Sequence, residues 1–223
     1  TIAEAFPGRV GVAVAIGNTL DLEESGKEPK NPIKVVEDYV ADLRSLWTTD
    51  PVERESEAYR LAGARMSFKN QNKIPVYVTA LGSDVARKAG EIADGILMSA
   101  GFSVSFVKAC LKLFHEAASL TGRDAQNLRT AAFIHFSVSE DGRKAREDVR
   151  KKLAFLFRNR LMAENIAASG IPIDQDAIVD AITARDIEKA ATFVPDEAID
   201  AFGVAGTIAE CKKSLEAYVA TGL

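Results

Sequence analysis

Between Ile74 and Gly101 (IPVYVTALGSDVARKAGEIADGILMSAG) the spacing of apolar positions changes twice. Ile74, Val76 and Val78 alternate with Pro75, Tyr77 and Thr79 and run into Ala80-Leu81-Gly82, the pattern of a buried strand that stops at a glycine. Ser83 stands where a helix N-cap belongs, and Val85, Ala89, Ile92 and Ala93 then recur at helical spacing until Asp94-Gly95. Ile96-Leu97-Met98 opens a second strand. Two strands joined by so short a helix predict a right-handed βαβ unit with parallel strands, its Gly82-Ser83 turn at the carboxyl end of the first. Ligands bind at that end in such folds. Free amides at the helix start, the helix dipole and a glycine open to close approach together predict a phosphate site.

The rest of the chain extends the alternation. Val10 to Ile16 is nearly all apolar or glycine, which predicts a strand buried on both faces, and it ends at a second glycine turn, Gly17-Asn18-Thr19. An acidic loop, Asp21 to Lys30, follows. Pro32 opens a helix with Val36, Tyr39, Val40, Leu43, Leu46 and Trp47 on its inner face and Lys34, Glu37, Asp38 and Arg44 outside. Asp50 to Glu53 reads as a capping box, but Tyr59-Arg60-Leu61 and Ala64-Arg65-Met66 flank Ala62-Gly63 as the arms of a hairpin would, and the hairpin is preferred. Ser103 caps a helix with Val107, Cys110, Leu111, Phe114 and Ala118 inward, His115 beside that face without a role.

Ala131 to Val138 (AAFIHFSV) is a further strand, one face of which points into the sheet interior, where His135 is read first as a satisfied structural residue and alternatively as a neutral imidazole that meets a ligand. A single helix is expected from Asp141 to Ala168, ended by Gly170-Ile171-Pro172, then helices over Ile178 to Ala191 and Pro195 to Phe202. Thr207 to Glu210 is a capping box for a last helix with Cys211, Leu215 and Val219 inward. The order is strand, helix, strand, helix, strand, helix, strand, then a helical excursion, which requires a parallel sheet covered by helices. A doubly wound sheet and a segment of an eight-stranded barrel both satisfy it.

Composition narrows the partners. The 223 residues, 47% hydrophobic and 27% charged, are enough for one large domain with its own core. A formal net charge of -4 argues against nucleic acid or an anionic membrane as the main partner. Cys110 and Cys211, far apart and each on an apolar helix face, read as buried free thiols in a reducing compartment, the cytoplasm. Two histidines and two cysteines without close spacing make no metal motif. The chain starts without methionine and stops where a strand is due, which reads as a fragment incomplete at both ends.

IPVYVTALGSDVARKAGEIADGILMSAG resembles the central segment of the bacterial-luciferase-like flavin and deazaflavin oxidoreductases, most closely the methylenetetrahydromethanopterin reductase branch. PGRVGVAVAIGN resembles that family's fourth barrel strand, YRLAGARMSF its hairpin before strand five, and VPDEAIDAFGVAGTIAECKKSLEAYVATGL the helical stretch before strand eight, all in the family's order. The resemblance implies a (β/α)8 TIM barrel, with strands four to seven and the insertion before strand eight in residues 1–223. It implies hydride transfer between coenzyme F420 or FMN and a small organic substrate, in a homodimer. The alternatives are an FMN-dependent monooxygenase and a non-catalytic flavin-binding relative. By the same resemblance the cofactor phosphate meets Leu81, Gly82, Ser83 and the helix start at Val85, while Gly17 and Asn18 lie near the ring. The reductase branch has an acidic residue at or near Asn18, so the amide departs from its pattern, and the resemblance identifies no catalytic acid.

Overall fold

The computed structural model describes residues 2–17, 22, 24–26, 30–69 and 72–223. It divides into two compact units, the first of residues 1–80, 85–97 and 114–129, the second of residues 81–84, 98–113 and 130–223.

In the first unit a short helix α1 (Ile2–Ala5) precedes β1 (Val12–Val14), which pairs in parallel with β4 (Val76–Ala80). Helix α3 (Ser83–Ile92) leads from β4 to its neighbour β5 (Gly95–Met98), as the period change predicts. β6 (Arg129–Ala132) is next in the sheet, Arg129 N–H donating to the Asp94 carbonyl at 3.1 Å. β4 alternates fully buried Val76, Val78 and Ala80 with half-buried Tyr77 and Thr79. β1 departs from the expectation of burial on both faces, since Val14 is buried but Ala13 and Ala15 are exposed.

Helix α2 (Pro32–Leu46) is capped by Asn31 and buries Val36 and Val40 as expected, but it also buries two acids. Asp38, placed by its spacing on the outer face, is 8% exposed and takes Lys34 Nζ, while Asp42 is 3% exposed. Asp42 accepts from Arg54 Nε at 2.9 Å and Tyr59 O–H at 2.7 Å, so two side chains of the following hairpin neutralise and bond its carboxylate. That pairing, with desolvation first, pushes the Tyr59 phenol far up. The hairpin itself is β2 (Val52–Glu55) against antiparallel β3 (Arg60–Ala64). Its turn lies at Ser56 to Tyr59, where Ser56 N–H donates to the Tyr59 carbonyl, not at Ala62-Gly63; Gly63 sits inside β3 at φ +68°.

Asp94 ties this unit together. Its carboxylate accepts from Val76 N–H at 2.9 Å and Arg44 Nη2 at 3.0 Å. Burial opposes its ionisation, but those two donors outweigh burial and hold the carboxyl below its ordinary range. A depressed carboxyl stabilises the fold fully above its unfolded pKa, and the contribution is lost as pH falls through the folded value. Asp94→Asn is therefore expected to be less stable than the wild type by about 1–2 kcal/mol at neutral pH. The difference should shrink below about pH 4, measured by denaturant unfolding; a gap of constant size down to pH 3 would remove the charge from the account.

The second unit holds α4 (Val104–Leu120) up to Leu113, with Ser103 capping it through Phe106 N–H to Ser103 Oγ at 3.2 Å. The strand expected over Ala131 to Val138 is broken: β6 ends at Ala132, and β7 (Phe136–Val138) pairs in parallel with β8 (Val204–Gly206). β8 is a strand inside a stretch that the family resemblance reads as helical. Helix α5 (Gly142–Phe157) buries Leu153 and Phe157, but the helix expected to continue to Ala168 stops there. The Asn159 side chain accepts from Leu161 N–H and opens a 3-10 turn, after which a separate helix, α6 (Ala163–Ser169), runs to its cap at Gly170.

The helix expected over Ile178 to Ala191 is likewise two, α7 (Gln175–Thr183) and α8 (Ile187–Thr192), separated by Arg185 at φ +59° and restarted by an Asp186 cap on Lys189 N–H. Helix α9 (Asp196–Phe202) and α10 (Ile208–Val219) complete the unit, α10 under the predicted Thr207/Glu210 capping box. α10 turns Cys211 and Tyr218 inward, whereas Leu215 and Val219 are exposed. Tyr218 O–H donates to the Phe102 carbonyl at 2.9 Å, which is why a tyrosine is tolerated at 2% exposure. Both cysteines are buried free thiols. No helix among the described residues is long and apolar enough to cross a membrane.

Candidate functional site

β4 runs out at Ala80, and Leu81-Gly82 carries the backbone into α3, whose first turn projects unbonded N–H groups beyond the strand's carboxyl end. Ser83 is the first residue of the helix rather than the cap before it. Its N–H is nevertheless bound: it donates to Glu164 Oε2 at 3.2 Å across 81 positions of sequence. A Cβ on Gly82 would stand 3.4 Å from that same oxygen, at contact distance, so a larger side chain there would meet the carboxylate. The turn therefore already receives an anionic oxygen, its own. A carboxylate oxygen accepting from an amide at the start of a helix is the kind of contact a phosphate oxygen makes at such a position.

Glu164 is placed there by its neighbour. Asn165 is fully buried; its Oδ1 accepts from Ser103 N–H at 2.9 Å and its Nδ2 donates to the Gly101 carbonyl at 2.9 Å. Two bonds in opposite senses anchor the first turn of α6 to the loop before α4 and leave Glu164 exposed beside Ser83. Ser105 Oγ, donating to the Ala168 carbonyl, holds the other end of α6. Behind this wall the Cys110 thiol is pushed up to about 12, by burial and then by the Glu164 charge, so it stays protonated.

Leu81, Gly82 and Ser83 are thus brought together, with Glu164 added. The Val85 side chain is buried at 8% exposure within the first unit, so it offers a ligand its backbone only. Gly17, also of the first unit, is described at φ +103° against the Leu22 side chain. Asn18 lies outside the described residues. Sequence reasoning missed Glu164 and Asn165, which sit in LMAENIAAS among positions read as the apolar end of one helix; no spacing links them to Ser83 or Ser103. Among the described residues no group of three or more histidine, cysteine or acidic side chains is arranged to hold a metal ion.

A family model described as luciferase-like monooxygenase matches residues 1–223. The 5,10-methylenetetrahydromethanopterin reductase of Archaeoglobus fulgidus is 27% identical over 211 residues, covering 93% of this chain and 63% of that protein. The F420-dependent glucose-6-phosphate dehydrogenase of Segniliparus rotundus is 30% identical over 207 residues, covering 90% of this chain and 61% of that protein. The chain thus spans less than two thirds of the length of these relatives. Among solved structures, the coenzyme F420 dependent tetrahydromethanopterin reductase from Methanopyrus kandleri superposes with a TM-score of 0.79 at 24% identity, over 97% of this chain and 67% of that one, which establishes the α/β fold with its parallel sheet. With its whole length matched by the family model, the chain belongs to the luciferase-like monooxygenase family.

Proposed function

We propose that this chain is part of an F420-dependent oxidoreductase that transfers a hydride between the deazaflavin and a small organic substrate. The observation that carries this reading is the β4–α3 turn, where Ser83 N–H binds a carboxylate oxygen over a glycine. A cofactor phosphate arriving there would replace the Glu164 oxygen on the same amide. Relatives named as F420-dependent enzymes favour the deazaflavin over FMN. Once bound, the reduced ring supplies the hydride; Leu81, Gly82 and Ser83 would hold and orient the phosphate end. In this reading β1, β4, β5 and the β6–β7 pair are barrel strands four to seven, and α5 to α10 with β8 form the insertion before strand eight. The same reading, by the family resemblance, makes the whole protein a cytoplasmic homodimer.

The test is a fluorescence titration of the protein with coenzyme F420 and with FMN. F420 is expected to bind tightly and FMN weakly; tight FMN binding alone would move the reading to a monooxygenase, and binding of neither would overturn it. Two variants point in opposite directions. Gly82→Val puts methyl groups where the anion lies and should weaken F420 by roughly tenfold or more, the loss of one charge-assisted hydrogen bond. Glu164→Gln removes a competing like charge at an exposed position and should tighten F420 by up to about fivefold. Unchanged affinity in both would take the phosphate away from this turn.

A further inference from the structure

The β4–α3 turn is acidic where a phosphate-receiving turn is expected to be basic. Glu164 Oε2 takes the Ser83 N–H at 3.2 Å, which puts a full negative charge at the first amide of α3. Asp84, the next residue of the helix, is a second exposed acid. Neither carboxylate is in an ion pair among the described residues. Both belong to the second unit with Leu81, Gly82 and Ser83.

The charges at this turn do not balance. A helix start offers about half a positive elementary charge, against a whole negative charge on each acid. Hydrogen bonding therefore supplies most of the attraction for an anion, and the local field opposes every unit of charge the anion carries. A singly charged phosphate meets that opposition once. Glu164 is exposed, so its side chain is free to swing aside and yield the Ser83 N–H to the incoming oxygen. A second charge on the same phosphate meets the opposition again. The two candidate cofactors differ in this respect. FMN ends in a phosphomonoester, which carries a charge of about −1.5 to −2 near neutrality, whereas the phosphate of coenzyme F420 is a diester with a single charge.

Resting on the reading of this turn as the cofactor's phosphate site, we propose that Glu164 is a specificity-determining residue that admits a phosphodiester and penalises a phosphomonoester. Its position is fixed independently of any ligand, because Asn165 beside it is fully buried and bonds both Ser103 N–H and the Gly101 carbonyl. Glu164→Gln keeps an oxygen for the Ser83 N–H and removes the charge alone.

The experiment is a fluorescence titration of the 223-residue chain near neutral pH with two ligands that share one ring. They are 5-deazariboflavin 5′-phosphate, a monoester, and its methyl ester, a diester. The ratio of the monoester Kd to the diester Kd should fall roughly threefold to fivefold in Glu164→Gln, the effect of one exposed like charge. Glu216→Gln, which removes an exposed acid from α10, should leave the wild-type ratio unchanged. A ratio that Glu164→Gln does not move, with both ligands bound, overturns the proposal and leaves the phosphate reading of the turn standing. An equal fall in Glu216→Gln assigns the effect to net charge and overturns it too. If neither ligand binds the wild type or the variants, the reading of the turn falls and the proposal with it.

Discussion

Asn165→Leu is expected to lower the unfolding free energy by about 2–6 kcal/mol, the sum of two buried backbone groups stripped of their partners. Leucine is close to asparagine in size, so the change adds little crowding. It leaves Ser103 N–H without an acceptor and the Gly101 carbonyl without a donor, at a position with no access to water. Because the same turn of α6 presents Glu164 to Ser83, the variant should also free that amide, and whatever fraction folds should show altered F420 affinity. Denaturant unfolding with far-UV circular dichroism measures the first effect. A loss below about 1 kcal/mol would mean that water or a shifted side chain replaces both bonds.

Gly90→Ala has an expected sign opposite to the helix rule. In an exposed helix interior alanine is better than glycine by about 1 kcal/mol. At Gly90 the added Cβ would lie 2.2 Å from the Phe114 carbonyl oxygen and 3.0 Å from Ala117 Cβ, and the first of these is backbone that cannot rotate away. Helix α3 must then lift from the last turns of α4, stretching the Arg123 bonds to the Gly90 and Ala93 carbonyls at 2.7 and 2.6 Å. The net loss should be about 1–3 kcal/mol, the range for an overpacked core. A variant as stable as the wild type, or more so, would show that the two helices are free to separate at this point.

The local physics of the chain was readable where one element alone decides it. Strand β4, helix α3 and strand β5 follow from a change of apolar period bounded by glycines, and the Ser103 cap and the Thr207/Glu210 capping box follow from residue types three apart. The parallel sheet and the glycine turn at the end of β4 come from the same reading, because alternation of strand and helix leaves few topologies. Errors gathered where a partner distant in sequence overrules a local pattern. Asp42 is buried because Arg54 and Tyr59 arrive to pair it, and no helical wheel contains the hairpin that brings them.

The breaks at Asn159 and Arg185 are of another kind. Each interrupts an apolar periodicity that is locally continuous, through the Asn159 side chain that accepts from Leu161 N–H and the left-handed Arg185 before Asp186. β8 exists because β7 offers it a backbone edge, not because VAG has strand character of its own. The candidate site divides in the same way. Sequence alone located the strand–glycine–helix turn at Leu81-Gly82-Ser83, because a strand end, a glycine and a helix start are all local. Only the tertiary structure set Glu164 on the Ser83 amide and Asn165 behind it, since a contact across 81 residues depends on where α6 is packed, and packing is a property of the whole unit.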